Sequence, residues 1–202
     1  MKVLNLYAGI GGNRALWGDE HEIVAVENVP HIADVYRRLW PNDTVIEADA
    51  HQYLLDHYKE FDFIWSSPPC PSHSMLQIVQ NARGNVRYPD MALYQEVIFL
   101  RQFCHVPWVV ENVKPYYRPL IQPTRELARH LFWTNFHLFR YFDDSDFTII
   151  KDGIGTMQDY YGIDLSGIDT KEKRKMLHNC VIPKLGLHVF NCRDNLKQEA
   201  LL

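Results

Sequence analysis

A rhythm constrains this fold: short β-branched runs alternate with longer amphipathic segments through the first two thirds of the chain. Strands buried on both faces read as near-continuous apolar runs, and crossover helices read at spacings of three and four, so the alternation predicts βαβ units around a largely parallel sheet. Val3-Leu4-Asn5-Leu6-Tyr7 is the first expected strand, followed by a glycine turn and a helix starting near Asn13 that carries Leu16 and Trp17. Further strands are expected at 23–26, 44–46, 61–65 and 108–110, with helices at 32–39, 52–58 and 91–103. Beyond Pro115 the pattern weakens: 130–138 reads as one more strand and 140–175 as irregular and polar. The expected fold class is α/β, a mostly parallel central sheet with helices on both faces.

Composition narrows the class. With 202 residues, 47% of them hydrophobic, and a formal net charge of −4, the chain has enough apolar material for one core and too little charge for disorder. No apolar run approaches the roughly 20 residues that span a bilayer. No secretory cleavage pattern follows Val3 to Ala8, so the expected location is the cytoplasm. Cys70, Cys104, Cys180 and Cys192 form no C-x-x-C pair and no zinc-spaced Cys/His grid, which points away from disulfides and metal. A slightly acidic total leaves room for a basic face.

Chemistry-bearing residues gather where the strands end. In an open α/β sheet, ligands bind at the carboxyl edge, so residues just after successive strands converge. Tyr7-Ala8-Gly9-Ile10-Gly11-Gly12 allows a tight turn and close backbone approach of an adenosine-containing cofactor, although such a turn is equally a structural one. Glu27 follows the second strand, where a carboxylate can accept both ribose hydroxyls, and Asp49 follows the third, where it can accept from an adenine amine. Either acid alone reads as a solvated loop carboxylate; together with the glycines they read as one pocket.

Two further strand ends carry the reactive groups. Pro68-Pro69-Cys70-Pro71-Ser72-His73-Ser74 follows the fourth strand, and its prolines restrict the direction of the thiol. Cysteine is ordinarily a small core hydrophobe, but this one sits in a loop at the ligand edge. Glu111-Asn112-Val113 follows the fifth strand, bringing a carboxyl near Cys70, with Asn112 available to fix the loop. A thiolate beside a carboxyl acid suits conjugate addition to an electron-poor heterocycle.

In these motifs the chain resembles the DNA cytosine methyltransferases that act at ring carbon 5, in a short form similar to those of bacteriophages and their hosts. Tyr7 to Gly12 resembles the F-x-G-x-G-G cofactor loop, Pro69-Cys70 with Ser74 the P-C-Q-x-x-S nucleophile loop, and Glu111-Asn112-Val113 the E-N-V motif. Asn179-Cys180-Val181-Ile182-Pro183 resembles the G-N-x-V-x-P element that returns to the cofactor pocket. The resemblance implies S-adenosyl-L-methionine as cofactor, held by Tyr7, Ala8, Gly9, Gly11, Gly12, Glu27, Asn28, Asp49, Ala50, Pro68, Asn179 and Val181. It implies Cys70, Glu111, Asn112 and Arg129 as catalytic residues and needs no metal. A flipped cytosine would accept Cys70 at carbon 6 while Glu111 shares a proton with nitrogen 3, and carbon 5 would then take the methyl group before Cys70 leaves.

The chain departs from the family pattern at several points. Pro71 stands where Gln is usual and His178 where Gly is usual; the Q-x-R-x-R segment has no clean counterpart, and Arg129 is its best candidate. The expected organisation is a catalytic core at 1–140, a short insert at 141–175 in place of a target-recognition domain, and a returning segment at 176–202. Basic residues collect in the reactive half: Arg83, Arg87, Lys114, Arg118, Arg125, Arg129, Arg140, Lys171, Lys173, Arg174, Lys175 and Lys184. They imply a DNA partner, double- or single-stranded, contacted mainly through phosphate, with a short or relaxed recognition sequence, and the chain is expected to be a monomer. Competing readings are an RNA (tRNA) cytosine methyltransferase, a catalytically silent binder of S-adenosylmethionine or nucleic acid, and a nicotinamide oxidoreductase, which leaves the Cys70 and Glu111 pairing unexplained.

Overall fold

The computed structural model describes residues 1–140 and 153–194. Seven strands, β1 (Lys2–Leu6), β2 (Glu22–Val26), β3 (Thr44–Ile46), β4 (Phe63–Ser66), β5 (Trp108–Val113), β6 (Arg125–Leu127) and β7 (His130–Thr134), form one sheet in the order β3-β2-β1-β4-β5-β7-β6. From β3 across to β5 the strands are parallel, and β7 then runs antiparallel to β5 and to β6. The order reverses between β1 and β4, which opens a crevice above their carboxyl ends.

Alternate side chains of each strand feed two separate cores. Val3, Ile23, Phe63, Trp65, Val109 and Phe132 face one layer, built from α1 (Pro30–Leu39), α5 (Ile154–Tyr161), α6 (Lys173–His178) and α7 (Pro183–Asn191). Leu4, Leu6, Val24, Val26, Ile64 and Val110 face the other, built from α2 (Ala50–His57) and α4 (Ala92–Phe103), whose Leu93, Val97 and Leu100 repeat at helical spacing; the short α3 (Leu76–Ala82) lies between these two helices in sequence, after β4. Each such fully buried side chain stabilises the fold by about 1.5–3 kcal/mol. The α/β class with helices on both faces, expected from the alternation, is the class observed.

The structure differs from the sequence expectation in places that have physical causes. No helix starts near Asn13; residues 11–17 form successive tight turns, with Arg14 N–H donating to the Gly11 carbonyl at 3.1 Å and Trp17 N–H to that of Arg14 at 2.9 Å. Tertiary anchors outcompete the helical ladder there. Arg14 is buried in a two-toothed ion pair with Asp43 (2.7 and 2.9 Å) beside the Trp40 ring, Asn13 bonds Asn5 at 2.8 Å, and Trp17 stacks on Phe190. β5 runs on through Glu111 and Asn112 because β7 pairs with it, and β7 stops at Thr134, whose hydroxyl donates to the Phe136 carbonyl at 2.7 Å. Part of the stretch expected to be irregular is helical: α5 is closed by Gly162 in the left-handed region, and Met157, Tyr161, Ile163 and Leu165 lie in the same core as Val3. The first part of that stretch, 141–152, lies outside the described residues.

Candidate active site

Above β1 the backbone turns sharply. Tyr7 has φ +54°, a left-handed conformation that costs a non-glycine residue energy, and its hydroxyl is held by Glu96 of α4 at 2.6 Å. Glu96 is fully buried and also accepts from Ser66 Oγ at 2.5 Å and pairs with His51 Nδ1 at 3.1 Å, and this bond lifts His51 above the usual imidazole range. A Cβ on Gly12 would lie 2.6 Å from Cys180 Cβ and 2.7 Å from the Val181 carbonyl, so Cys180-Val181 packs directly against the glycine turn. At Gly9 (φ +55°) a Cβ would meet nothing within 4 Å: the turn is open on that side.

Glu27 ties this turn to the next element. Its Oε2 accepts from Gly9 N–H at 3.0 Å and its Oε1 from Val29 N–H at 2.9 Å, just before α1. Asp49 is exposed and caps α2 by accepting from Gln52 N–H at 2.8 Å. Asn28 is exposed beside Glu27, Ala50 is buried in the first turn of α2, Pro68 and Val181 are buried, and Asn179 is exposed at the end of α6. Two acidic side chains after β2 and β3 offer acceptors, and an open-sided glycine turn after β1 offers room, suited to an adenosine that donates from its amine and two hydroxyls. The residues fit S-adenosylmethionine.

Cys70 follows β4 in a loop sewn to the chain beyond β5. His73 and Ser74 N–H both donate to the Cys70 carbonyl at 3.0 Å; Ser74 pairs with Pro115, Tyr116 N–H donates to the His73 carbonyl at 3.0 Å, and His73 Nδ1 meets the Tyr117 hydroxyl at 2.5 Å. Asn112 donates to the Pro68 carbonyl at 2.9 Å, fixing the turn two residues before the thiol. Burial pushes the Cys70 thiol up, the Glu111 carboxylate adds to this, and Arg129 pulls the other way. Glu111 itself is buried between His130 Nδ1 (2.5 Å from Oε1) and Ser67 Oγ (2.8 Å from Oε2). Cys70, Glu111 and Arg129 therefore share one electrostatic environment, although they come from three separate stretches of chain.

The family model for C-5 cytosine-specific DNA methylases matches residues 1–114, more than half of the chain. The chain belongs to that family. The match takes in the glycine turn, Glu27, Asp49, Cys70 and Glu111 and stops before Arg129 and Asn179. Solved methyltransferases are similar over part of their length. A triple mutant of Spodoptera frugiperda DNMT2 is 27% identical over 56% of this chain and 35% of its own, with a TM-score of 0.42. A proposed DNA modification methyltransferase encoded within an E. coli prophage is 16% identical over 58% and 33%, with a TM-score of 0.40. A SAM-dependent methyltransferase from Agrobacterium tumefaciens is 16% identical over 59% and 40%, with a TM-score of 0.43. The chain spans about a third of the length of the first two. No curated protein matches it.

Within this methylase-family site, four contributors were not legible as site residues: Ser67 and His130 beside Glu111, and Ser66 and Glu96 behind the glycine turn. Ser66 and Ser67 end the strand that leads to Cys70, a positional signal. Glu96 gave a different one, a carboxylate on the apolar face of α4. Arg129, the best counterpart of the Q-x-R-x-R segment, donates to the His178 carbonyl at 3.2 Å and to His130 Nε2 at 3.4 Å. Among the basic residues, Arg83, Arg87, Arg118, Arg125 and Arg140 are exposed, whereas Lys114 pairs with Glu126 and Lys175 with Glu172. Among the described residues no helix is long and apolar enough to cross a membrane, and no group of three His, Cys, Asp or Glu could hold a metal ion.

Proposed function

We propose that the protein transfers a methyl group to carbon 5 of cytosine in DNA through a covalent adduct on Cys70. The observation that carries this reading is that the Cys70 loop and Glu111 follow adjacent parallel strands, β4 and β5, and are tied together by the bonds from Ser67 to Glu111 and from Asn112 to the Pro68 carbonyl. S-adenosylmethionine, when bound by the glycine turn, Glu27 and Asp49, supplies the methyl group. Cytosine must leave the base stack to reach a half-buried thiol in the loop after β4. At rest the Glu111 carboxylate and burial keep the proton on Cys70. As Cys70 sulfur adds to carbon 6, the thiol proton passes to the Glu111 carboxylate and from it to ring nitrogen 3, so the pocket acquires no net charge. Arg129 favours the thiolate during this exchange. Loss of the carbon 5 proton to solvent water, with the nitrogen 3 proton returning through Glu111 to the departing Cys70 sulfur, completes the reaction.

Residues 1–140 are the catalytic core in this reading, 141–175 stand where a larger member carries a module that reads DNA, and the described part of the returning segment, 176–194, closes the cofactor pocket; 195–202 lie outside the described residues. Exposed Arg83, Arg87, Arg118, Arg125 and Arg140 supply phosphate contacts, which give affinity without sequence information. The recognition sequence is accordingly short or relaxed. Labelled methyl transfer to DNA and, in parallel, to tRNA tests the substrate, and DNA carrying 5-fluorocytosine should trap the protein covalently. Transfer to tRNA alone overturns the DNA reading, and bisulfite mapping that returns six or more fixed bases overturns the relaxed specificity.

A further inference from the structure

The hydrogens around Glu111 run in one direction. Arg129 Nε–H donates to His130 Nε2, and a neutral imidazole nitrogen that accepts carries no hydrogen, so the ring proton sits on Nδ1. That nitrogen lies 2.5 Å from Glu111 Oε1 and donates to it. On the opposite side Ser67 Oγ accepts from Trp65 Nε1 at 2.8 Å and uses its single proton to donate to Glu111 Oε2. Both carboxylate oxygens thus receive hydrogen bonds from groups that are themselves fixed. His130 and Glu111 side chains are only 4% and 7% exposed, so water competes little for these bonds. The geometry follows from the sheet: Glu111 pairs with Phe132 across β5 and β7, which places His130 diagonally beside it on the same face.

We propose that His130 is a positioning residue for Glu111: its Nδ1–H, set by Arg129, holds the carboxylate in the orientation that meets the flipped base. This rests on reading Glu111 as the group that holds the base. Ser67 completes the clamp from β4, and Arg129 acts through the His130 ring as well as through its charge on the Cys70 thiol.

Amide replacements separate the two ring nitrogens, because Asn offers its N–H near the Nδ1 position and Gln offers it near Nε2. The 202-residue chain and its His130→Asn, His130→Gln and His130→Ala variants are compared by kcat and by KM for S-adenosylmethionine with DNA. The His130 tautomer of the parent is read by nitrogen-15 NMR. The expected result is an Nδ1–H tautomer, a fall in kcat of about 10- to 100-fold for Ala and Gln with KM for the cofactor unchanged, and recovery to within about 5-fold of the parent for Asn. An Nε2–H tautomer, an Asn variant as impaired as the Gln variant, or an Ala variant with parental kcat overturns the proposal. Should the Ala variant not fold, the Asn and Gln pair decides, since both carry the same chemistry at different reach. A parent that methylates no nucleic acid overturns the functional reading instead, and the tautomer, measured without substrate, still tests the clamp.

Discussion

The two ends of the crevice are built differently. At the cofactor end, Glu27 grips backbone N–H groups of Gly9 and Val29, partners within 18 positions of it, and Asp49 caps the helix that begins beside it. At the reactive end, Cys70, Glu111 and Arg129 come from three stretches, joined by side-chain bonds such as Asn112 to Pro68 and His130 to Glu111. The acids of the cofactor end are held by neighbours in sequence, while the glycine turn beside them is seated by Glu96 and Cys180-Val181 from far along the chain. The reactive end depends on the register of β5 against β7 and fails through positioning.

Removing the nucleophile separates the two ends most sharply. Cys70→Ala should lower methyl transfer by about 10³-fold or more while calorimetric affinity for S-adenosylmethionine stays within two-fold of the parent. Loss of cofactor binding in that variant would show that the ends are not independent. The converse is Glu27→Ala, which deletes two bonds to a charged acceptor at the glycine turn and should raise the cofactor Kd by about 10- to 100-fold. Fluorocytosine trapping at saturating cofactor should then be little changed.

Thiol reactivity probes the assembled end without substrate. In a Cys192→Ser background, iodoacetamide labels Cys70 in preference to Cys104 and Cys180, which burial pushes up to about 11 and about 12. Glu111→Gln removes a negative neighbour and should move the pH midpoint of Cys70 labelling down; Arg129→Ala should move it up. Midpoints that do not move would refute the shared environment.

The smallest expected effect concerns the support beneath the cofactor end. Glu96 raises His51 in the folded state, so the His51 contribution to stability is fully present below the ordinary value of 6.5 and is lost as pH rises through the raised one. The difference in Tm between the parent and His51→Gln should therefore be largest at acidic pH and shrink on the alkaline side.

The same contrast explains what the sequence revealed. β1, β2 and β4 were legible because strands buried on both faces write continuous apolar runs, and Glu27, Asp49, Cys70 and Glu111 followed from their places after those runs. Turns over 11–17 were not, because Arg14 and Trp17 are held by Asp43 and by the Gly186 carbonyl, partners that no local pattern announces. Nor was His130: it lies 19 positions from Glu111 and meets it only through antiparallel pairing, while the search for a Q-x-R-x-R counterpart favours the neighbouring Arg129. The helices α5 to α7 were missed because their short apolar faces pack on a core already claimed by the strands.

The contact between Gly12 and the Cys180-Val181 backbone has a consequence for biosynthesis. As the chain emerges from the ribosome, the glycine turn is made long before the residues that pack beneath it, and Trp17 waits for a carbonyl 169 positions away. Closing so long a loop adds an entropic cost that grows only with the logarithm of its length, so the delay in synthesis matters more than the distance. A nascent protein halted before Cys180 would carry every acid and thiol of the crevice and still lack the surface that seats its first turn.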